Sequence, residues 1–490
     1  MATVNTRLGA IVGTSEKDIW MFLGIPYGKP PVGERRFHAA ARHGPWSGTL
    51  DGTTFGHRAM QPEAPVGPPW AEGRSEDCLF LNIYTPAADG GGRPVLFWIH
   101  GGGYYIGCGS DHDGANLAAQ GDAVVVTVNY RLGVFGFLDL SQYDDDLAGS
   151  ASNGFRDQIL ALTWVRENIA DYGGDPNNVT IFGVSGGGGS VNALLAAPSA
   201  DGLYQRAIAH SGTAITNAPA PLAAGLAAHL KVDDRELLNR LHQLSAEELL
   251  AAQLDSGIDM SAGACVDGVV VTRDTYQAIA ERGRRGVPYM AGSNRDEGTF
   301  FTSFAPEGTF FDPMAAVLGA MPFDLLSVGV EPGEYLASLQ DAHPDDTDKT
   351  LYQRVYTEMF RRAAIRTSEA VTAAGCGGWL YRFDLPSSVM DGALGATHGC
   401  EVAFTFNDYA RPETSRTALF HDPGDPVVRQ LAEHWSNTIL AFARTGDPNG
   451  AGLPHWAPYS ADRREVMILD AASRIENDPD SQMRKRWGDA

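Results

Sequence analysis

The stretch Val179-Thr180-Ile181-Phe182-Gly183-Val184-Ser185-Gly186-Gly187 constrains this chain most, because an apolar run of strand type leads directly into a serine with glycine two places before and two places after it. A serine on a sharp turn between a buried strand and a following helix takes a strained backbone angle. Side chains on its neighbours would collide there, which is the physical reason for the flanking glycines. Such a turn makes Ser185 a candidate nucleophile. With 57 glycines in 490 residues, the five-residue pattern recurs by chance too readily to stand alone, so the rest of the chain has to supply its partners.

The surroundings of this stretch predict an α/β protein. Val95 to Ile99 and Val124 to Val128 are uninterrupted apolar runs of strand length, as parallel strands buried on both faces require. Phe155, Ile159, Leu162, Val165 and Ile169 have helical spacing, starting near Asn153 as a cap and stopping at Gly173-Gly174. Leu79 to Tyr84, Ala207 to His210, Val287 to Ala291, Trp379 to Phe383 and Val466 to Leu469 are further strand candidates, separated by helical or loop stretches. Leu222 to Leu254 reads as helical, and Asp345 to Asp348 as a solvated loop that caps a helix. At the amino end, Leu8 to Val12 and Ile19 to Phe22, followed by a turn at Gly24 to Tyr27, read as a small antiparallel sheet. Pro62 to Pro69 reads as a stiff surface loop ending at Trp70. No linker divides the chain, so a single domain over 1–490 is expected.

Composition narrows the class. A formal net charge of -23 argues against nucleic acid and anionic membrane surfaces as partners. No run approaches the roughly 20 apolar residues of a membrane span, and the first residues lack a basic start followed by an apolar core, so a cytoplasmic location is expected. Five cysteines, odd in number and widely spaced, indicate neither a disulfide framework nor a zinc site. No metal and no cofactor are expected, and oligomeric state is left open.

Acyl transfer by a serine needs donors for an oxyanion, a base, and an acid to orient that base. His100-Gly101-Gly102-Gly103 follows the strand Val95 to Ile99 directly, so the backbone N–H groups of Gly102 and Gly103 are free to point into a cavity, with that of Gly186 completing the set. A phosphate cradle is the alternative, and neither a Gly-Lys-Ser/Thr ending nor G-x-G-x-x-G spacing supports it. The acid candidate is Glu297 after the strand Val287 to Ala291, with Asp296 as competitor. The base candidate is His398, one of 13 histidines. Tyr104 and Tyr105 after the glycines, and Phe300, Phe301, Phe304, Phe310 and Phe311 after Glu297, supply rings for an apolar gorge or for core packing.

Several separate motifs resemble the type-B carboxylesterase family, which includes carboxylesterases and cholinesterases. They are Ser75 to Asn82, His100 to Gly103, Asn129 to Gly133, Gly173 to Pro176 with Val179 to Ser185, and Phe442 to Asn449, and the likeness runs from about Gly9 to Asp470. The resemblance implies an α/β-hydrolase fold: a large mixed, mostly parallel central sheet flanked by helices, with the small antiparallel sheet at the amino end. It also implies a Ser-Glu-His triad in that chain order. The family's Asp-Glu-Gly stretch matches Asp296 to Gly298 and assigns the acid to Glu297. Its His-Gly-x-Glu stretch matches His398 to Glu401, and its oxyanion motif matches Gly102, Gly103 and Gly186. Ser211 resembles a buried serine that supports the triad, and Glu76 or Asp77 with Arg131 resembles a structural ion pair.

The chain departs from the family at the elbow, where Val184 and Gly186 stand in place of the usual glutamate and alanine. It also lacks the upstream cysteine that pairs with the match of Cys78 in secreted members. The expectation is therefore a serine carboxylic ester hydrolase acting on small to medium, apolar or aromatic esters, with Tyr104, Tyr105 and Phe301 touching substrate. Amide, carbamate or lactone hydrolysis by the same groups, and a noncatalytic interaction module, are the alternatives.

Overall fold

Apolar runs that alternate with amphipathic ones fold here as strands and covering helices, as the sequence pattern predicts. The structure is a computed structural model that describes residues 2–16, 18–63, 73–258, 263–282, 286–303, 305–320, 331–412, 415, 417–450 and 452–486. Trp70, Phe304 and all but the start of the proline-rich loop lie outside the described residues. The chain packs as two compact units, Met1–Gln205 with Ala218–Arg273 and Arg206–Asn217 with Asp274–Ala490.

In the first unit the strands are β1 (Ala2–Thr6), β2 (Gly9–Glu16), β3 (Ile19–Pro26), β4 (Thr49–Asp51), β5 (Phe80–Thr85), β6 (Arg93–Ile99), β7 (Val124–Val128) and β8 (Gly174–Val184). They lie in the order β1-β2-β3-β5-β7-β6-β8, with β4 beside β2. The first five of these pair antiparallel along the path, and β7, β6 and β8 are parallel. The amino-terminal sheet is thus continuous with the larger one through β3 and β5. Gly24 to Pro26, read as a turn from the sequence, stays in β3 because a register shift between Phe22 and Ile25 absorbs the irregularity. Val95 to Ile99 are fully buried, which explains the unbroken apolar run. Ile99 pairs with Gly183, so the segments leaving β6 and β8 start at the same level.

Helix α1 (Asn153–Asn168) covers this sheet. Asn153 does not cap it; its amide donates to the Phe37 carbonyl at 2.6 Å. Helix α2 (Gly186–Ala196) starts immediately after Ser185. The segment read as one helix over Leu222 to Leu254 is three, α3 (Leu222–Leu230), α4 (Asp234–Gln243) and α5 (Ala246–Asp255). Lys231 takes a left-handed conformation that ends α3, Asp233 caps α4, and Ser245 forms a capping box with Glu248 on α5. Apolar periodicity continues across these breaks because all three helices turn leucines (Leu226, Leu237, Leu241, Leu249) into one core cluster. Caps worth about 1 kcal/mol each decide where the helices divide.

The ion-pair expectation at Arg131 is corrected. Glu76 pairs with Arg36 (2.6 Å), and Arg131 pairs with Asp157 (2.8 Å), both partners almost wholly buried. Asp157 lies on α1, within the helical stripe read for its apolar residues alone, so sequence offered no reason to choose it. Removing one member of such a buried pair costs about 3–5 kcal/mol.

In the second unit β9 (Arg206–His210), β10 (Tyr289–Asn294), β11 (Gly378–Phe383) and β12 (Glu465–Leu469) are parallel, and β13 (Arg474–Asn477) closes the edge antiparallel to β12. The longest helix, α6 (Asp348–Ala373), is capped by the Thr347 hydroxyl, and α7 (Pro426–Thr445) by Asp425 with proline in the first turn and left-handed Gly446 at its end. Asn294 pairs with Phe383 and Gly292 with His210. The segments bearing Glu297, Ser211 and His398 therefore leave neighbouring strands close to one level.

Candidate active site

Ser185 sits between β8 and α2 at φ 56° and ψ −122°, a conformation that costs a non-glycine residue about 1–3 kcal/mol and persists only when its surroundings enforce it. Those surroundings are main chain. A Cβ on Gly183 would come 2.6 Å from the Ile99 carbonyl oxygen and 2.7 Å from the Gly187 carbonyl, and one on Gly187 would come 2.0 Å from Ile99 O. Glycine at both flanks is thus a steric requirement of the β6–β8 contact. The start of α2 also brings the positive end of a helix dipole to this point.

The glycine loop after β6 wraps against the same turn. Gly102 and Gly103 are left-handed (φ 101° and 61°), and Tyr104 follows at φ 61°. The N–H groups of Tyr105 and Ile106 both donate to Gly102 O at 3.0 Å. A Cβ on Gly186 would lie 3.1 Å from both Gly103 N and Tyr104 N, so the main chain at Gly103 and Tyr104 lies directly against Gly186, with Gly102 next in the chain. Gln61, fully buried, fixes the far end of the loop: its side chain accepts from Gly107 N–H (2.9 Å) and donates to Gly107 O (3.0 Å). His100 stacks on Tyr130 with centroids 4.4 Å apart, and burial pushes its pKa down to about 4. The Tyr104 ring is 2% exposed and packs against Phe137 and Phe155. Tyr105 is half-buried.

In the second unit Glu297 is wholly buried. Its Oε1 accepts from the Ser211 hydroxyl (2.5 Å) and the Asn294 N–H (2.7 Å), and its Oε2 meets His398 Nδ1 at 2.5 Å. Burial works to lower the His398 pKa, but attraction and hydrogen bonding to Glu297 outweigh it, so the imidazole titrates above its ordinary value. A carboxylate so placed fixes the tautomer with Nδ1 protonated and leaves Nε2 as the basic atom. Gly298 is required because a Cβ there would lie 1.8 Å from Gln353 O on α6.

Asp296, the competing acid, has a different task. Its N–H donates to Ala396 O and its carboxylate accepts from Ala396 N–H, both at 2.9 Å, while Thr299 Oγ1 donates to Leu394 O at 2.7 Å. The acid turn and the histidine loop are zipped together. Glu401 lies behind them, fully buried, accepting from Asn294 Nδ2 at 2.7 Å and standing 3.5 Å from Ser211 Oγ. Burial and the nearby Glu297 push its pKa up to about 7. Sequence reasoning gave Asn294, Asp296 and Thr299 no such part, because short polar residues in a turn carry no signal of what they touch. Phe301 reaches the histidine, with ring centroids 5.6 Å apart, and stacks on Tyr356 at 4.6 Å. Phe310 is 76% exposed. Phe360, which sequence reasoning did not select, stacks on His398 at 4.5 Å. Among the described residues, no group of three or more His, Cys, Asp or Glu side chains is placed to hold a metal ion.

The Carboxylesterase family model matches residues 1–487. The chain belongs to the carboxylesterase family. Among its relatives, this serine carboxylesterase is 36% identical to the para-nitrobenzyl esterase of Bacillus subtilis (strain 168), over 99% of this chain and 98% of that protein. It is 34% identical to the phenmedipham hydrolase of Pseudarthrobacter oxydans, over 97% and 96% of the two chains. The solved carboxylesterase EST55 of Geobacillus stearothermophilus superposes with a TM-score of 0.86 at 36% identity, covering 99% of this chain and 100% of that one. The esterase therefore has the α/β-hydrolase fold and hydrolyses small-molecule esters. Among its described residues, no helix is long and apolar enough to cross a membrane.

Proposed function

We propose that this carboxylesterase cleaves small to medium, apolar or aromatic esters through an acyl-enzyme on Ser185. His398 takes the serine proton and returns it to the leaving alcohol, Glu297 holds the imidazole tautomer and stabilises the imidazolium, and the N–H groups of Gly102, Gly103 and Gly186 receive the oxyanion. The observation that carries this reading is the 2.5 Å contact of His398 Nδ1 with the buried Glu297 carboxylate, which supports an imidazole base with Nε2 free. The strained Ser185 turn supports the same assignment. Phe301 beside the histidine favours aromatic groups, and a relative named for para-nitrobenzyl esters makes that ester the first substrate to try. Tyr104 and Tyr105 complete the proposed substrate contacts, Tyr104 through the placement of its main chain in the glycine loop, since its ring packs in the core.

The family's unbroken match over residues 1–487 supports a single functional domain, and five free cysteines favour a cytoplasmic location. Amide, carbamate or lactone substrates would use the same groups. The test is a panel of chromogenic esters, with para-nitrobenzyl and aryl esters included, assayed with wild type, Ser185→Ala and His398→Ala, together with labelling by a sulfonyl fluoride. The expected adduct is on Ser185. An adduct on Ser190 or Ser211, or turnover undiminished in Ser185→Ala, would overturn the assignment.

A further inference from the structure

The base candidate is carried by a loop, yet a catalytic imidazole has to hold its ring plane to within about 10–20°. Glu297 fixes one edge of that ring through Nδ1, and a single hydrogen bond leaves the ring able to swing about it. One face is held by carbon. Phe360 lies with its ring centroid 4.5 Å from that of His398 at an interplanar angle of 23°, within the offset-stacked range for aromatic pairs. Phe301 approaches at 5.6 Å and 34°, and Phe300 stands edge-on at 5.9 Å and 62°. Phe301 and Phe360 lie nearly parallel to each other, at 12°.

Of these three rings, Phe360 alone comes from a long rigid element. It is 3% exposed and stands on α6, where Tyr352, Tyr356 and Phe360 recur four residues apart and form one stripe. Tyr352 meets Tyr356 at 5.2 Å, and Tyr356 stacks on Phe301 at 4.6 Å. The rings of the helix thus join, through Phe301, a chain of aromatic contacts that ends at the imidazole itself. An aromatic face carries negative potential and attracts a cation lying over it, so the ring that fixes the imidazole plane also favours its protonated form.

We propose that Phe360 is a positioning residue of the acyl-transfer reaction, holding the His398 imidazole by its face and stabilising the imidazolium that forms when the serine proton is taken. This rests on His398 being the base. The charged groups that face the imidazole in this unit are Glu297 from the turn after β10 and Glu401 from its own loop. The neighbouring Cys400 thiol is kept protonated by burial. On α6 the charged residues within two places of Phe360 are Glu358, Arg361 and Arg362, all buried, and Glu358 and Arg361 are paired with each other. The ring face therefore acts in addition to the two carboxylates.

The experiment replaces Phe360 by mono-, di-, tri- and pentafluorophenylalanine, which keep the ring's shape while draining negative potential from its face, and compares them with Phe360→Leu. The His398 pKa is read directly by magnetic resonance on protein with isotope-labelled histidine, the signal being assigned by its loss in His398→Gln, and again from the acid limb of kcat/KM. The expected result is a graded fall of the His398 pKa across the fluorine series, reaching about half a pH unit, and a roughly tenfold fall in kcat with little change in KM for Phe360→Leu. A pKa unchanged across the series would overturn the proposal, as would wild-type kcat in a folded Phe360→Leu. Because the resonance titration needs no turnover, it judges the ring face even if the catalytic assignment of His398 fails; that separate failure would show as full activity in His398→Ala.

Discussion

Around Ser185 the close approaches are made by glycine and main chain: Ile99 O against Gly183 and Gly187, Gly103 N and Tyr104 N against Gly186. At the Glu297 carboxylate they are polar contacts, from the Ser211 hydroxyl, the His398 imidazole and the Asn294 main-chain N–H, with Glu401 one step further on the Asn294 amide in a buried hydrogen-bonded group. The first region stores its precision in backbone shape, where any added atom is a clash. The second stores it in polar partners, where atoms may be exchanged for others of the same size but a lost charge or proton is felt at once. Steric fit and electrostatic fit are thus divided between two stretches of chain.

The largest expected effect is that of Ser185→Ala, which should lower kcat by about 10⁶-fold while leaving the melting temperature unchanged or raised, since alanine at this strained position loses nothing that packs. A fall in stability instead would show that the hydroxyl holds the turn together. Next, Glu297→Gln keeps the shape of the buried group and removes its charge, so kcat should fall by about 10⁴-fold with the melting temperature within a few degrees of wild type. Equal damage to both quantities would erase the contrast between the regions.

Gly186→Ala tests the backbone side more gently. Its methyl would lie 3.1 Å from two amide nitrogens, so the glycine loop must yield by a few tenths of an ångström. An approximately tenfold fall in kcat, with KM less affected, is expected, whereas an unchanged kcat would show that the loop is soft. The smallest effect is a matter of pH. Glu401, raised to about 7 in the folded protein from about 4.3 in an unfolded chain, binds its proton more tightly when folded. Its ionisation therefore costs stability above pH 7, and the cost is relieved as the pH falls from 7 towards 4. Glu401→Gln should raise the melting temperature at pH 8 and change it less at pH 5, as thermal melts at the two pH values would read. A larger gain at pH 5 would contradict the assigned protonation.

The same division explains what could be read from the sequence. Strands β6, β7 and β8 were legible because burial on both faces leaves an unbroken apolar run, and the elbow because steric demands leave glycine as the signature. Fine structure that rests on particular partners was not. Arg131 was read with Glu76 or Asp77 and meets Asp157, since a charge in a sequence does not say which opposite charge the fold will bring to it. Asp296 and Glu297 are adjacent carboxylates that the residues alone left open, and family likeness rather than chemistry chose between them. Phe360 went unselected, because a ring that packs in a core and a ring that faces an imidazole are spelled alike. The caps at Asp233 and Ser245 were visible residues whose local hydrogen bonds were outvoted by the leucine periodicity running through them.

The pairing of Ile99 with Gly183 has one more consequence. Strands whose two faces are equally apolar can slide by a residue with little loss of burial, because their hydrophobic pattern does not distinguish one alignment from the next. Between Val179 and Phe182 every residue is fully buried, so oiliness alone cannot say which residue of β8 stands beside Ile99. Gly183 can: it stands between Phe182 and Val184, so sliding β8 by one place in either direction brings a side chain to the Ile99 carbonyl, where a Cβ would lie 2.6 Å away. Gly183 therefore acts as a ratchet stop on the sheet, and it sets the height at which Ser185 emerges.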